Sequence, residues 1–245
     1  MRLKEVLQMK SPVLFIFFII FLLFSCSTDN ASLLRKAGYE ADGTGLLEAV
    51  RNDDEKALDI FLKMPELLNF ADKSGKNAVM LASAKKDCTM LKKLVAAGAN
   101  LKIMDNSEKT PVHYAAAGSS LECAKFLLEN GADANLADNF GRDAANTLLS
   151  LAKEENVELF KILIEKSTDI ERRDKDKKTL FIIAAEKGFA DYEKLLMSLN
   201  VSPLSKDFSG KTALDYAAES LEAGRLENEI FEEIESYTQK IKEKL

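Results

Sequence analysis

Histidine and cysteine, the side chains that most often bind transition metals or act as acid–base and thiol catalysts, are scarce in this 245-residue chain. His113 is the only histidine, and Cys26, Cys88 and Cys123 are the only cysteines. A catalytic histidine needs a nucleophile beside it, and a zinc site needs several ligands at set spacing. The sequence contains no H-E-x-x-H, G-x-S-x-G, G-x-x-x-x-G-K-[ST] or paired C-x-x-C motif. We therefore predict no catalytic residue, no cofactor and no metal site.

The first 25 residues have the features of an export signal. Arg2, Lys4 and Lys10 give a positive start, and Val13–Phe24 is an unbroken run of 12 apolar residues. A membrane-spanning helix needs about 20 such residues, whereas a shorter run is typical of a signal peptide. We therefore expect residues 1–25 to be a signal peptide.

The apolar run ends in Leu23-Phe24-Ser25-Cys26, which resembles the lipobox of bacterial lipoproteins. The resemblance implies that Cys26 carries lipid and becomes the first residue of the mature protein. Several acyl chains hold a protein firmly on a membrane. Residues 26–42 would then be the lipidated cysteine and a flexible tether, on the periplasmic or surface face of the cell envelope. An ordinary export signal with an incidental cysteine and an uncleaved anchor are the alternatives.

The chain beyond this signal is acidic. Without residues 1–25 it has 31 basic and 39 acidic residues. Proteins bind nucleic acid largely by neutralising phosphates with Lys and Arg, so this balance argues against a nucleic-acid partner.

An aspartate recurs at a nearly constant interval. The residues are Asp72, Asp105, Asp138, Asp174 and Asp207, in steps of 33, 33, 36 and 33. A period of this size is typical of a solenoid, in which small helical or hairpin units stack and bury a continuous core. An earlier unit, with Leu46 and Ala49, lacks the opening loop, as a capping repeat would. Counting it as the first, the aspartates open units two to six.

The third unit shows how each repeat folds. Thr110 suits a helix N-cap, and Pro111 suits the first helical position. Leu127 and Leu128 should bury a second helix, and Gly131 can take the left-handed conformation that ends it. We therefore predict a helix, a short turn, a second helix, and an extended loop into the next aspartate.

The segments T-P-V-H-Y-A-A at 110–116 and N-G-A-D at 130–133 resemble the ankyrin repeat, and the other units align in the same frame. The resemblance implies an all-α fold, an ankyrin-repeat solenoid of about five to six helix-turn-helix repeats over residues 43–224. It implies that the chain binds another protein. It also implies that His113 bridges neighbouring loops by hydrogen bonds.

Two segments depart from the repeat pattern. The fourth unit has 36 residues, and its three extra residues must lie between its helices, within 150–157; they are either a binding loop or neutral drift. Residues 225–245 predict a longer amphipathic helix that caps the stack. Its apolar residues at helical spacing are Leu226, Ile230, Ile234, Tyr237 and Ile241.

Cys88 and Cys123 lie in adjacent units, two positions out of register. Neighbouring helices pack at about 8–10 Å, and a disulfide needs Cα atoms within about 7 Å. We expect both cysteines to pack as small apolar residues. A disulfide between them stays open, because an exported compartment would permit it.

The loop tips carry the one surface pattern that favours binding. Counting the opening aspartate as the first residue, the fifth residue of each loop is basic in all five units: Lys76, Lys109, Arg142, Lys178 and Lys211. Phe140 stands at the third position of its loop and Phe208 at the second, either pointing outward as binding anchors or folded back on a neighbouring loop. A basic row on an acidic protein favours a partner with an acidic patch.

We therefore predict a monomeric, exported and lipid-anchored module that binds a protein partner through its loop tips and concave face. A regulator or inhibitor of an exported enzyme and a structural envelope protein are the alternatives. An enzyme whose site is not recognisable is a further alternative, from another class.

Overall fold

The structure is a computed structural model that describes residues 29–244. Six helix pairs follow one another along this part of the chain. They are α1 (Gly43–Arg51) and α2 (Glu55–Phe61), α3 (Ala78–Ser83) and α4 (Thr89–Ala96), α5 (Pro111–Ala117) and α6 (Leu121–Glu129), α7 (Ala144–Leu151) and α8 (Val157–Glu165), α9 (Leu180–Lys187) and α10 (Ala190–Ser198), and α11 (Ala213–Glu222) and α12 (Asn228–Glu243). A 3-10 helix, Pro65–Leu67, follows α2. The predicted all-α solenoid is confirmed.

The helices form two rows. The first helix of each pair packs against the first helix of the next, from α1 to α11, and we call these the inner helices. Of the second helices, α6, α8, α10 and α12 stack in the same way as an outer row. One continuous apolar core runs between the two rows, as expected for repeats that contact only their neighbours.

Residues at equivalent positions of the repeats have equivalent packing roles in the core. In the inner row the small Ala82, Ala115 and Ala184 are fully buried, which lets successive helices approach closely. In the outer row Leu127 is fully buried, as predicted. Leu128 is only half-buried, because it lies about 100° further round the helix.

Polar residues begin the inner helices. Asn77 Oδ1 accepts a hydrogen bond from the Met80 backbone N–H at 2.9 Å, and Asp143 Oδ1 accepts from Asn146 N–H at 2.9 Å. Thr110, the predicted cap of the third unit, directly precedes α5. These caps satisfy backbone N–H groups that the first turn of a helix leaves without partners.

The three extra residues of the fourth unit lie between α7 and α8, where the sequence places them. The Glu155 carboxylate accepts hydrogen bonds from the N–H groups of Asp191 (3.0 Å) and Tyr192 (3.3 Å) at the start of α10. Asn156 Nδ2 donates to the Ser119 carbonyl at 3.3 Å. The loop therefore braces three consecutive units, a structural role that neither alternative for this segment included.

The segment before α1 differs from the predicted flexible tether wherever the structure describes it. Residues 29–36 are helical, Leu34 is fully buried and Tyr39 is nearly so. The ring of Tyr39 meets that of Phe61 edge-on, with centroids 6.5 Å apart. These side chains cover the open end of the first unit, so the packed domain begins before residue 43.

The opposite end is covered by α12, as predicted. Ile230 and Ile234 are buried on one face of this helix. Tyr237 donates its hydroxyl to the Val201 carbonyl at 2.9 Å and stacks on Phe181 with centroids 6.2 Å apart. The apolar face of α12 therefore closes the core on the last full repeat.

Candidate protein-binding surface

Each of the five loops is held by its opening aspartate. The aspartate N–H donates to the carbonyl of the fifth loop residue at 2.8–3.0 Å. Its Oδ1 accepts from the N–H groups of the third and fifth residues, also at 2.8–3.0 Å. One carboxylate thus fixes the whole tip, and this is why an aspartate recurs with the repeat.

The fourth residue of every loop has a positive φ. Glycine takes this position in three units, at Gly75, Gly141 and Gly210. Glu108 and Lys177 take it in the others, with φ of 62° and 60°. A side chain in this conformation is strained, so the hydrogen bonds of the aspartate hold the turn even without glycine.

Hydrogen bonds also join each loop to the next. The N–H of the second loop residue donates to the carbonyl of the third residue of the preceding loop, as in Asn106 to Ser74 (3.0 Å) and Phe208 to Asp176 (3.0 Å). The same bond joins Asn139 to Ser107 and Lys175 to Phe140. The five tips therefore form one ladder with fixed spacing.

Several side chains of the basic row turn back onto the protein. Arg142 lies 2.8 Å from the Asp138 carboxylate, and Lys178 lies 2.6 Å from that of Glu186. Lys211 pairs with Glu219, and Lys76 lies 6.0 Å from the ring centroid of Tyr114. The basic row predicted from the sequence therefore does not project freely into solvent at these residues. Lys109 is half-buried.

Two tyrosines that were not predicted from the sequence also support the loops. Tyr114 and Tyr216 each donate a hydroxyl to the opening aspartate of their own unit, at 2.7 Å. Burial, followed by this hydrogen bond, raises the pKa of both tyrosines. The repeated nine-residue spacing from Asp105 to Tyr114 and from Asp207 to Tyr216 is the signal that could have revealed the contact.

Burial shapes the acidity of the opening aspartates as well. Burial would raise the pKa of Asp138, but hydrogen bonds from Arg142 outweigh it and hold the pKa below its ordinary value. Burial instead raises the pKa of Asp174, whose carboxylate forms no ion pair within residues 29–244.

The two predicted aromatic anchors are exposed. Phe140 is 53% exposed and Phe208 is 67% exposed. The Arg142 guanidinium lies 4.7 Å from the Phe140 ring centroid, and the Lys177 ammonium of the preceding loop lies 4.7 Å from that of Phe208. Each ring therefore carries a cation on one side and leaves the rest of its surface to solvent.

The repeats match a known family. The profile of the family "Ankyrin repeats (3 copies)" matches residues 25–144 and 148–232. The chain belongs to the ankyrin repeat family. Its relatives include the neurogenic locus notch homolog protein 1 of Danio rerio, which is 37% identical over 123 residues, and that of Homo sapiens, 36% identical over 115 residues. The match covers 49% and 46% of this chain, but only 5% and 4% of those proteins.

Ankyrin repeats are protein-protein interaction modules, and this family indicates binding without catalysis. The likeness to the notch homologs extends over a small part of their length, so it describes the repeats alone.

His113 has the bridging role that the ankyrin resemblance implies. Its Nε2 donates to the Arg142 carbonyl in the next loop at 2.9 Å, and its Nδ1 accepts from the Thr110 N–H at 3.1 Å. Burial lowers the pKa of this histidine. A neutral imidazole protonated on Nε2 satisfies both bonds, so His113 joins two ankyrin units.

Cys88 and Cys123 are both buried as free thiols. Cys123 lies 3.5 Å from the Lys85 carbonyl. A hydrogen bond to Cys123 and burial raise the pKa of Cys88. The two side chains pack as small core residues of adjacent ankyrin units, as expected.

Residues 29–244 hold no group of three or more histidine, cysteine or acidic side chains placed to bind a metal. No helix in the same range is long and apolar enough to cross a membrane. The predicted signal peptide and Cys26 lie outside the described residues.

Proposed function

We propose that this protein is an exported ankyrin-repeat module, held on a membrane by lipid on Cys26, that binds an acidic surface of a protein partner through its loop tips and concave face. The observation that carries the proposal is the ladder of five tips with Phe140 and Phe208 exposed along it.

The rigidity of the ladder favours recognition. Every tip is fixed by its own aspartate, and each tip after the first is also fixed by the preceding loop. Little conformational entropy is then lost when a partner covers the tips, and preorganised surfaces bind more tightly for that reason. Exposed aromatic side chains on such a scaffold are typical binding hot spots.

The basic side chains of the tips support an acidic partner, although fewer of them are free of intramolecular contacts than the sequence suggests. Lys73 and Lys175 are exposed at the second position of their loops. Arg142 is a poor probe of binding, because Arg142→Glu would place a second carboxylate against buried Asp138. Charge reversal at Lys73 and Lys175 tests the same idea without that conflict.

Partner capture from membranes tests the binding proposal. The wild-type chain and a Phe140→Ala/Phe208→Ala variant would be cross-linked in membranes, and the captured proteins identified by mass spectrometry. We expect one partner to be recovered with the wild type and lost with the variant. Leu199→Ala is the matched control, since Leu199 is 47% exposed but follows the outer helix α10.

Capture that the tip variant leaves unchanged would contradict binding through the tips. In that case Leu151→Ala locates the interface, because Leu151 is 49% exposed at the start of the loop between α7 and α8.

Labelling with palmitate tests the lipid anchor. We expect label to enter the wild-type chain and to be lost in Cys26→Ala, while Ser27→Ala retains it. The motivating features are the short apolar run and the Leu23-Phe24-Ser25-Cys26 segment. A mature N-terminus at any residue other than Cys26 would refute this part of the proposal.

A further inference from the structure

A cleft of about 570 Å³ lies beside the loop tips of the fourth and fifth units, and Arg225 of the sixth unit also lines it. Nearly buried Ile183 of α9 and half-exposed Phe140 both line it, together with Lys175, Lys187 and Arg225. Sites that bind small ligands or peptide side chains commonly have volumes of about 300–1,000 Å³. The cleft therefore has the size of a binding site and joins the row of tips to the inner helices.

The cleft is positive in a protein whose net charge is −6. Five basic and three acidic side chains line it. Arg142 and Lys178 are already paired, with Asp138 at 2.8 Å and with Glu186 at 2.6 Å. Among the described residues, no carboxylate lies within 4 Å of the other three basic side chains. These three are Lys175, Lys187 and Arg225.

Buried contacts place Arg225 at the end of this cleft. Ser220, fully buried in α11, donates its hydroxyl to the Ala185 carbonyl at 2.7 Å and accepts from Arg225 Nη2 at 3.3 Å. Gly188 has a φ of 70°, and a Cβ there would lie only 2.7 Å from the Arg225 carbonyl oxygen. The absence of a side chain at 188 therefore lets Arg225 approach the end of α9, next to Lys187.

We propose that this cleft binds an acidic, extended segment of the protein partner, with carboxylates on Lys187, Arg225 and Lys175 and an adjoining apolar side chain against Phe140. The inference rests on the proposed function and names the chemistry of the partner. Aspartate or glutamate side chains supply the opposite charge, and the aromatic rim supplies apolar contact.

The acidic groups in the cleft favour a peptide over a polyphosphate or a nucleic acid. Asp176 and Glu186 lie among the basic side chains of the cleft. A polyanion with a negative charge on every monomer would be repelled by these two carboxylates. A peptide can place carboxylates opposite the three unpaired cations and uncharged groups opposite the acids. The charge of the whole protein also repels a long polyanion.

Fluorescence anisotropy tests the proposal on the full chain in detergent. The probe is a fluorescein-labelled peptide in which glutamates alternate with serines around one central leucine, beside the same peptide with every glutamate replaced by glutamine. The variant is Lys187→Glu/Arg225→Glu, with Lys187→Gln/Arg225→Gln as a milder form if the first unfolds. Lys161→Glu is the control, because Lys161 is exposed on the outer helix α8.

We expect the glutamate peptide to lose about tenfold or more in affinity in the cleft variant, and about twofold or less in Lys161→Glu. The glutamine peptide should bind the wild type about tenfold more weakly than the glutamate peptide does. An equal loss of affinity in Lys161→Glu, or equal affinity of the wild type for the two peptides, would overturn the cleft proposal. Inorganic polyphosphate that competes at the same concentration of charge would also overturn it, because it would show a general anion site.

Partner capture with the same variants separates this inference from the proposed function. If the cleft variant still captures the partner but Phe140→Ala/Phe208→Ala does not, the proposed binding through the loop tips stands and the cleft proposal is refuted. Loss of capture in the cleft variant, with a retained unfolding curve, supports the cleft.

Discussion

Glu193 lies in the core at a position that earlier units fill with apolar residues. The equivalent residues in the second helices of the three preceding units are Leu91, Ala124 and Phe160, all fully buried, and Glu193 is fully buried too. Neither of its carboxyl oxygens meets a hydrogen-bond donor among the residues that the structure describes. A buried carboxylate without a partner is strongly disfavoured.

Burial, with a smaller contribution from nearby Glu155, raises the pKa of Glu193 to about 8, from an ordinary value of 4.5. The unfolded chain ionises this group near pH 4.5, whereas the folded protein keeps it protonated up to about pH 8. The destabilisation that Glu193 causes is therefore absent below pH 4.5, grows as the pH rises, and stops growing above pH 8. One pKa unit corresponds to about 1.4 kcal/mol, so Glu193 costs about 3 kcal/mol at pH 7.

Urea unfolding at a series of pH values measures this effect. We expect Glu193→Gln to remove the slope between pH 5 and 8, and Glu193→Leu to be about 3 kcal/mol more stable than the wild type at pH 7. Glu165→Gln, on the exposed face of α8, is the control for losing one acidic residue. The same pH slope in the wild type and in Glu193→Gln would show that Glu193 is ionised and solvated in the folded protein.

Three further predictions concern the repeats. Leu127→Ala should cost about 2–5 kcal/mol in chemical unfolding, since Leu127 is fully buried in α6; a loss below about 1 kcal/mol would mean that the repeat frame is wrong. Asn146→Leu should raise the free energy of unfolding by about 1–3 kcal/mol, because both polar atoms of this buried amide lack a protein partner in the described chain; destabilisation would indicate that ordered water satisfies the amide. Cys88 and Cys123 should react with a thiol reagent only after unfolding, because both are fully buried. Mass spectrometry of the labelled peptides checks this, and fast labelling of either cysteine in the native protein would contradict the packing.

The helices and their frame could be predicted because each repeat contacts only its neighbours. A column such as Ala82, Ala115 and Ala184 then needs no knowledge of distant contacts, and all three residues are buried as that frame requires. The same frame places Glu193 at a core position, three residues before Leu196. The sequence alone could not show that its carboxylate lacks a hydrogen-bond partner.

Side-chain direction in the loops could not be predicted from the repeat. Arg142 and Lys178 share a position, yet one turns to the aspartate of its own loop and the other to Glu186. Each outcome depends on which carboxylate lies within reach in three dimensions. The helix at 29–36 was missed for another reason, because its polar residues give no apolar period and only Leu34 enters the core.

Calorimetric binding of the captured partner to the wild type and to Phe140→Ala/Phe208→Ala, at two salt concentrations, tests the central claim most directly. We predict a loss of about 1–3 kcal/mol of binding free energy for each ring, weaker wild-type binding at high salt, and unfolding curves that stay unchanged. Equal affinity of the wild type and the variant, with no effect of salt, would contradict the claim and place the interface away from the loop tips.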